Sequence, residues 1–213
     1  MKASVITIIN NIRSRQVADR CIKSAAANGL HVDYFSAITP DSDPLKIASQ
    51  ENIPIEGFEE KYSRFTNCLA AFLSHYWLWK VTAAGTHPHV IFEHDAVMVS
   101  PLPNVFHGDI VNLGKPSYGK WNTPTFLGEG PLTSKAYFPG AHAYYITPKG
   151  AQQLIDQAHI DAGPTDIFIN KSHFNDLKEV FPYCAEAKDS FTTIQNETGC
   201  LAKHNYGESY EVI

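Results

Sequence analysis

The chain has 213 residues, 44% of them hydrophobic and 18% charged, a globular composition sized for one well-packed domain with at most a small appendage. Its formal charge of −5 lacks the basic footprint with which nucleic-acid binders meet phosphates, so no nucleic-acid partner is expected. No apolar run is long enough to span a bilayer, and the short run at residues 5–9 breaks into Asn10 and Asn11, so neither a transmembrane segment nor a leader is expected.

In chain order, residues 4–9 (SVITII) are β-branched and read as a buried strand ended by the two asparagines. The following stretch places Val17, Cys21, Ser24 and Ala25 near helical spacing, with Gly29 as the stop. A second strand is predicted at 31–38, and this strand, helix, strand order implies a parallel crossover and an α/β fold. Residues 40–63 are polar and proline-bearing, which predicts a loop with short helical pieces. Leu69, Phe72, Leu73, Tyr76 and Trp77 then mark one apolar helical face ending at Gly85.

A strand is predicted at 89–94 and another at 108–114. Residues 115–137 combine Gly, Pro, Lys and aromatics and read as a long surface loop able to close over a ligand. Residues 141–147 alternate as a strand, and Thr147-Pro148 caps a helix predicted over 148–158. Cys21, Cys68, Cys184 and Cys200 lack Cys-x-x-Cys spacing, which suits neither a zinc site nor a disulfide framework, so a reducing, cytoplasm-like compartment is expected.

The segment HVIFEHDAVMV (89–99) sets Glu93, His94 and Asp95 inside a hydrophobic run. Strand alternation places Glu93 and Asp95 on one face and His94 on the other. Ligands bind beyond the carboxyl ends of parallel strands, and two carboxylates there suit Mg²⁺ or Mn²⁺ with a substrate diphosphate. The opposing reading is that the two acids cap loops or pair with Lys and Arg at the strand end.

Ordered blocks bear on that choice. SVITIINNIRSRQVADRCIKSAAANGLHVDYFSAI, NCLAAFLSHYWLWK, VIFEHDAV, GDIVNLG, GAHAYYITPKGAQQLI and PTDIFI, spread over about residues 4–170, together resemble glycosyltransferase family 25, the lipooligosaccharide and collagen galactosyltransferase group. The resemblance implies a GT-A-like (Rossmann-like) α/β fold with a mixed, mostly parallel sheet flanked by helices. It implies a single domain over 1–213, with a donor-binding part at about 1–114 and an acceptor and catalytic part at about 115–213. The implied activity is metal-dependent, inverting transfer of a sugar such as galactose from a nucleotide diphosphate sugar, a UDP-sugar foremost, to an acceptor hydroxyl on a glycan or other molecule.

The chain departs from the family pattern where His94 replaces the middle acid of the triplet and where the helix cysteine is displaced. Asp95 is then the first metal candidate, with Glu93 and His94 as further ones; a core histidine is the other reading of His94. Asp166 is the candidate base, or alternatively a first-turn helix acid. Arg13 and Arg15 follow the first strand, where this fold seats the donor, and read equally as solvated arginines. Ser74 and His75 match the family's Ser-His pair, as donor contacts or as structural residues. Gly140 and His142 are candidate cleft residues, Gly140 reading also as a tight turn. Tyr118, Trp121, Phe126, Tyr137 and Phe138 are aromatic candidates for the acceptor or for covering the core. By analogy with other GT-A folds, His204 is a late ligand candidate. The rival reading is a glycosyltransferase-like module that binds nucleotide or glycan without transfer.

Overall fold

The computed structural model describes residues 1–59, 61–188, 191–196 and 211–213. Cys200 and His204 lie outside the described residues.

Eleven strands and five α-helices are described: β1 (Lys2–Thr7), α1 (Ile12–Ala27), β2 (Asp33–Ser36), α2 (Pro44–Gln50), α3 (Phe65–Ala83), β3 (His89–Glu93), β4 (Ala96–Met98), β5 (Ile110–Asn112), β6 (Gly128–Pro131), β7 (Ala143–Ile146), α4 (Pro148–Ala158), α5 (Thr165–Phe168), β8 (Lys178–Phe181), β9 (Ala185–Ala187), β10 (Phe191–Thr192) and β11 (Glu211–Val212). Seven strands form one sheet in the order β2-β1-β3-β7-β5-β8-β6. The pairings make β2, β1, β3, β5 and β8 run one way and β7 and β6 the other, a mixed but mostly parallel α/β sheet.

Alternation along the strands sorts side chains into two layers. Ala3, Val5, Val90 and Phe92 pack with Ala18, Cys21 and Ala25 of α1 and with the β4–β9 ribbon. Ile6, Ile91, Tyr144 and Ile146 pack on the opposite face against α3 and α4. All four residues of β7 are buried, as a strand covered on both faces requires. No helix among the described residues is long and apolar enough to cross a membrane.

Several expected boundaries move. The first strand spans Lys2–Thr7, and Asn11 belongs to the helix that follows, its side chain accepting from the Arg13 and Ser14 N–H groups as an N-cap. That cap starts α1 early and turns Ser14 and Ala18 inward with Cys21 and Ala25, leaving Val17 and Ser24 only half-buried. In α3, Trp77 is half-exposed under the Lys80 ammonium, 4.4 Å from its ring, while Trp79 is buried. The reason is that α3 is covered on most sides, by α4, α2 and the sheet, so a single apolar stripe underestimates its buried surface. The region 115–137 contains β6, paired antiparallel with β8. The predicted helix at 148–158 forms as α4, with Thr147 Oγ1 accepting from Gly150 N–H.

Candidate functional site

Because β7 runs antiparallel to β3 in the register Phe92 with Ala143, the end of β3 and the start of β7 meet at one sheet edge, where Glu93 N–H donates to the His142 carbonyl at 2.9 Å. A cleft of about 400 Å³ opens there. Glu93, His94, Asp95, Gly140, His142 and Asp166 line it together with Tyr118, Tyr137 and residues 192–195. A smaller cavity of about 70 Å³ adjoins it between the end of β1, residues 37–40 and α3, lined by Ser74 and His75 and sharing Glu93 and His94.

The acidic turn differs from expectation. The strand ends at Glu93, and His94 and Asp95 form a turn into β4, so alternation does not carry through to Asp95. Glu93 faces α3, with Oε1 at 3.2 Å from His75 Nε2. His94 faces away, as predicted, with Nδ1 2.7 Å from Ser14 Oγ on α1 and its ring 5.6 Å from that of Phe191. Asp95 also lies on the α1 side, where its charge, after burial, helps push the Cys21 thiol up to about 12. Its carbonyl accepts from Lys188 N–H at 3.0 Å and from Arg20 at 3.4 Å. The expectation that Glu93 and Asp95 share a face is therefore corrected: the turn rotates the two carboxyls toward opposite layers.

Burial pushes the Glu93 carboxyl up to about 8, with the nearby Asp166 charge adding to it. Burial holds His75 down to about 3 against the opposite pull of Asp166. The contact between them has the spacing of an ion pair, but a fully enclosed imidazole stays neutral, so it is a hydrogen bond. Asp166 sits in the short α5, its Oδ1 accepting from Ile167 N–H at 2.9 Å and its Oδ2 from the Tyr118 hydroxyl. Burial raises its carboxyl, while the Tyr118 hydroxyl and backbone N–H groups, including that of Gly140, work the other way. The electrostatic reach of Asp166 to both Glu93 and His75 places the two acids about one cleft.

Gly140 has φ +98°, and an added Cβ would stand 2.3 Å from Ser117 Oγ and 3.0 Å from His142 Nδ1, so both backbone conformation and space demand glycine. His142 is buried beside it and held down to about 4 by burial. Ser74 Oγ donates to the Ala70 carbonyl and accepts from Ile38 N–H, both at 2.9 Å, pinning the segment after β2 to α3.

Arg13 and Arg15 are not brought into the cleft. Arg13 pairs with Glu211 at 2.5 Å and lies 4.6 Å over the Phe191 ring, and Arg15 is exposed on α1. Of the five aromatic candidates, Tyr118 and Tyr137 line the cleft, stacked at 6.2 Å with Lys135 Nζ 4.8 Å and 5.0 Å from their rings. Phe138 is core, Trp121 packs on Tyr183, and Phe126 lies against Gly130.

Residues 191–196 supply a wall that no sequence motif indicated. Ile194 O accepts from Arg64 N–H at 2.8 Å, Thr193 O accepts from Asn67 Nδ2 at 2.8 Å, and Asn196 N–H donates to Tyr62 O at 2.9 Å. The described lining residues of the larger cleft include three carboxylic acids and no Lys or Arg. Among the described residues no three His, Cys, Asp or Glu side chains gather as a metal cage. Such a donor set fits a hard ion only in the manner of Mg²⁺ or Mn²⁺ held by one or two carboxylates, with ligand phosphates and water completing its shell. Neither a family model nor a curated protein matches this chain.

Proposed function

We propose that the protein transfers a sugar from a nucleotide diphosphate sugar, a UDP-sugar foremost, to a hydroxyl of a glycan or other acceptor, with the GT-A-like, family 25 relationship that its sequence blocks imply. The observation that carries this reading is the pair Glu93 and Asp166 in a single cleft at the carboxyl edge of β1 and β3. Open α/β sheets bind ligands at that edge, and transfer to a hydroxyl needs a carboxylate near the incoming oxygen.

Asp166 is the proton acceptor in this reading, its carboxylate oriented by Tyr118 and the Ile167 N–H. The acceptor hydroxyl attacks the anomeric carbon from the side opposite the departing diphosphate, inverting it. Asp95 is the residue that would hold Mn²⁺ or Mg²⁺, while Glu93 lines the same cleft from the α3 side. When bound, the ion neutralises charge on the leaving diphosphate. Walls rich in acids and without a described Lys or Arg would otherwise repel that ligand.

One observation favours the second reading, a nucleotide- or glycan-binding module without transfer: Glu93 and Asp95 diverge, and among the described residues no group of three His, Cys, Asp or Glu gathers about them. Titrating the protein with UDP- and GDP-sugars, with and without Mn²⁺, separates the two. Mn²⁺-dependent transfer or slow donor hydrolysis that is lost in Asp95→Ala supports transfer. Binding without turnover supports the module, and no binding at all would sink both.

A further inference from the structure

Behind Glu93 lies a row of buried polar groups that neither strand packing nor the sugar-transfer reading requires. Trp79 Nε1 donates to the Tyr144 hydroxyl oxygen at 2.8 Å. The same oxygen is 2.8 Å from His75 Nδ1, and His75 Nε2 is 3.2 Å from Glu93 Oε1. Trp79, Tyr144 and His75 are each at most 1% exposed, and the His75 ring stacks on Tyr144 at 5.7 Å and 24°.

The hydrogens in this row have one self-consistent placement. An indole N–H can only donate, so the Tyr144 oxygen accepts from Trp79. If His75 Nδ1 also donated to that oxygen, the phenolic hydrogen of a fully buried residue would have no acceptor among the described residues, at the cost of an unmade buried hydrogen bond. Tyr144 therefore donates to Nδ1, and the imidazole carries its hydrogen on Nε2, which donates to Glu93 Oε1. One carboxyl oxygen is thus fixed from behind. The other, Oε2, makes no protein hydrogen bond among the described residues, on a side chain that is 26% exposed and lines both cavities.

We infer that Trp79, Tyr144 and His75 are positioning residues that lock His75 in the Nε2–H tautomer and aim Glu93 Oε2 into the cleft to hydrogen-bond a ligand hydroxyl. That the hydroxyl belongs to a saccharide rests on the sugar-transfer reading; the orientation of Glu93 does not. Glu93 in this role is a ligand-orienting group, distinct from the metal ligand that the sequence pattern implies. Aromatic and imidazole rings buried in the core lose no rotamer freedom when the ligand arrives, which is what holding a carboxyl in a productive geometry requires.

Long-range ¹H–¹⁵N correlation of ring-labelled His75 reads the tautomer directly. The expected spectrum shows neutral imidazole with hydrogen on Nε2, and Tyr144→Phe shifts it toward a mixture of tautomers. In the same protein Tyr144→Phe lowers UDP-sugar turnover tenfold or more with KM for the donor unchanged. His75→Gln, which keeps an N–H donor, retains more turnover than His75→Leu, and this pair decides if Tyr144→Phe does not fold. Hydrogen on Nδ1 in the wild type, or wild-type turnover in Tyr144→Phe, overturns the inference. If the wild type turns over no nucleotide sugar, the sugar-transfer reading falls and the tautomer measurement alone decides the positioning chain.

Discussion

The Tyr118 hydroxyl donates to the Asp166 carboxylate, so the long segment after β5 is tied to the short helix after Pro164 across the cleft. The contact joins residues 48 positions apart and sets one acid of the cleft in a fixed orientation. On the proposed reading, Asp166→Asn keeps the fold and lowers transfer by about a hundredfold to ten-thousandfold, the range of a positioned proton acceptor. Tyr118→Phe lowers turnover by about tenfold through lost orientation. Initial rates with a UDP-sugar and circular dichroism of both variants check the pair, and an Asp166→Asn protein of normal rate excludes Asp166 as the acceptor.

Removal of divalent ions should abolish nucleotide diphosphate binding, since the described cleft walls carry acids and no Lys or Arg. Calorimetric titration of UDP into EDTA-treated protein is expected to show no heat, restored on adding Mn²⁺, with Asp95→Asn weakening the restored binding at least tenfold. Equal UDP affinity with and without metal would show that another cation on the protein holds the phosphates.

Acid should destabilise the protein well above the carboxylate range. His89 hydrogen-bonds Thr82 and Ser4 inside the fold, and burial, with Lys2 adding, holds it down to about 4; burial holds His142 to about 4 as well. The unfolded chain protonates histidine near pH 6.5, so between about pH 6.5 and 4 the unfolded state binds more protons and stability falls as pH falls. Each group contributes up to about 1.4 kcal/mol per pH unit in that window. Burial holds His75 to about 3 and His94 to about 4, adding to the loss, while Glu93, raised to about 8, gains stability as pH falls and offsets one of the four histidines. Thermal melts from pH 7.5 to 4.5 should show a falling Tm that is less steep in His89→Gln, and a flat profile refutes the account.

Glu179 is fully buried in β8 and collects the Thr133 and Ser134 N–H groups at 2.7 and 2.9 Å, with the hydroxyls of Thr133, Ser134 and Tyr183 also donating. Glu179→Ala strands several buried donors and should cost about 3 kcal/mol in urea unfolding. Glu179→Gln, which brings its own N–H groups against those donors, should recover only part of it. A loss below about 1 kcal/mol would mean that water replaces the carboxylate.

Gly150→Ala runs against helix propensity. Alanine in an exposed helix interior gains about 1 kcal/mol over glycine. Here an added Cβ would stand 2.2 Å from the Asp109 carbonyl oxygen, so α4 must lift away from the start of β5 and stability should fall by about 1–3 kcal/mol. Chemical denaturation decides the sign.

What could be read from the sequence followed from local chemistry. Thr147 and Pro148 carry a cap and a first-turn proline, and α4 spans the predicted residues. The first crossover needed only β-branched and helical periods. The acidic turn was harder, because an apolar pattern continues from Val90 to Met98 while the strand breaks into a turn at His94 and Asp95. Trp79 escaped the stripe since α3 is covered on most sides. β8 hides in a run containing Lys178 and Glu179, whose burial depends on donors more than forty residues away. Nothing local to Tyr144 or Trp79 reveals that Trp79 Nε1 donates to the Tyr144 oxygen and that this oxygen meets His75.

The wall at residues 191–196 makes this cleft a late product of synthesis. Chains grow from the amino end and fold as segments emerge. With β1 to β9 already formed, a nascent chain still presents a gutter open on the side that Thr192–Gln195 will close, and Arg64 and Asn67 wait for carbonyls made more than a hundred residues later. That side of the cleft is therefore completed only after β1 to β9 have been synthesised.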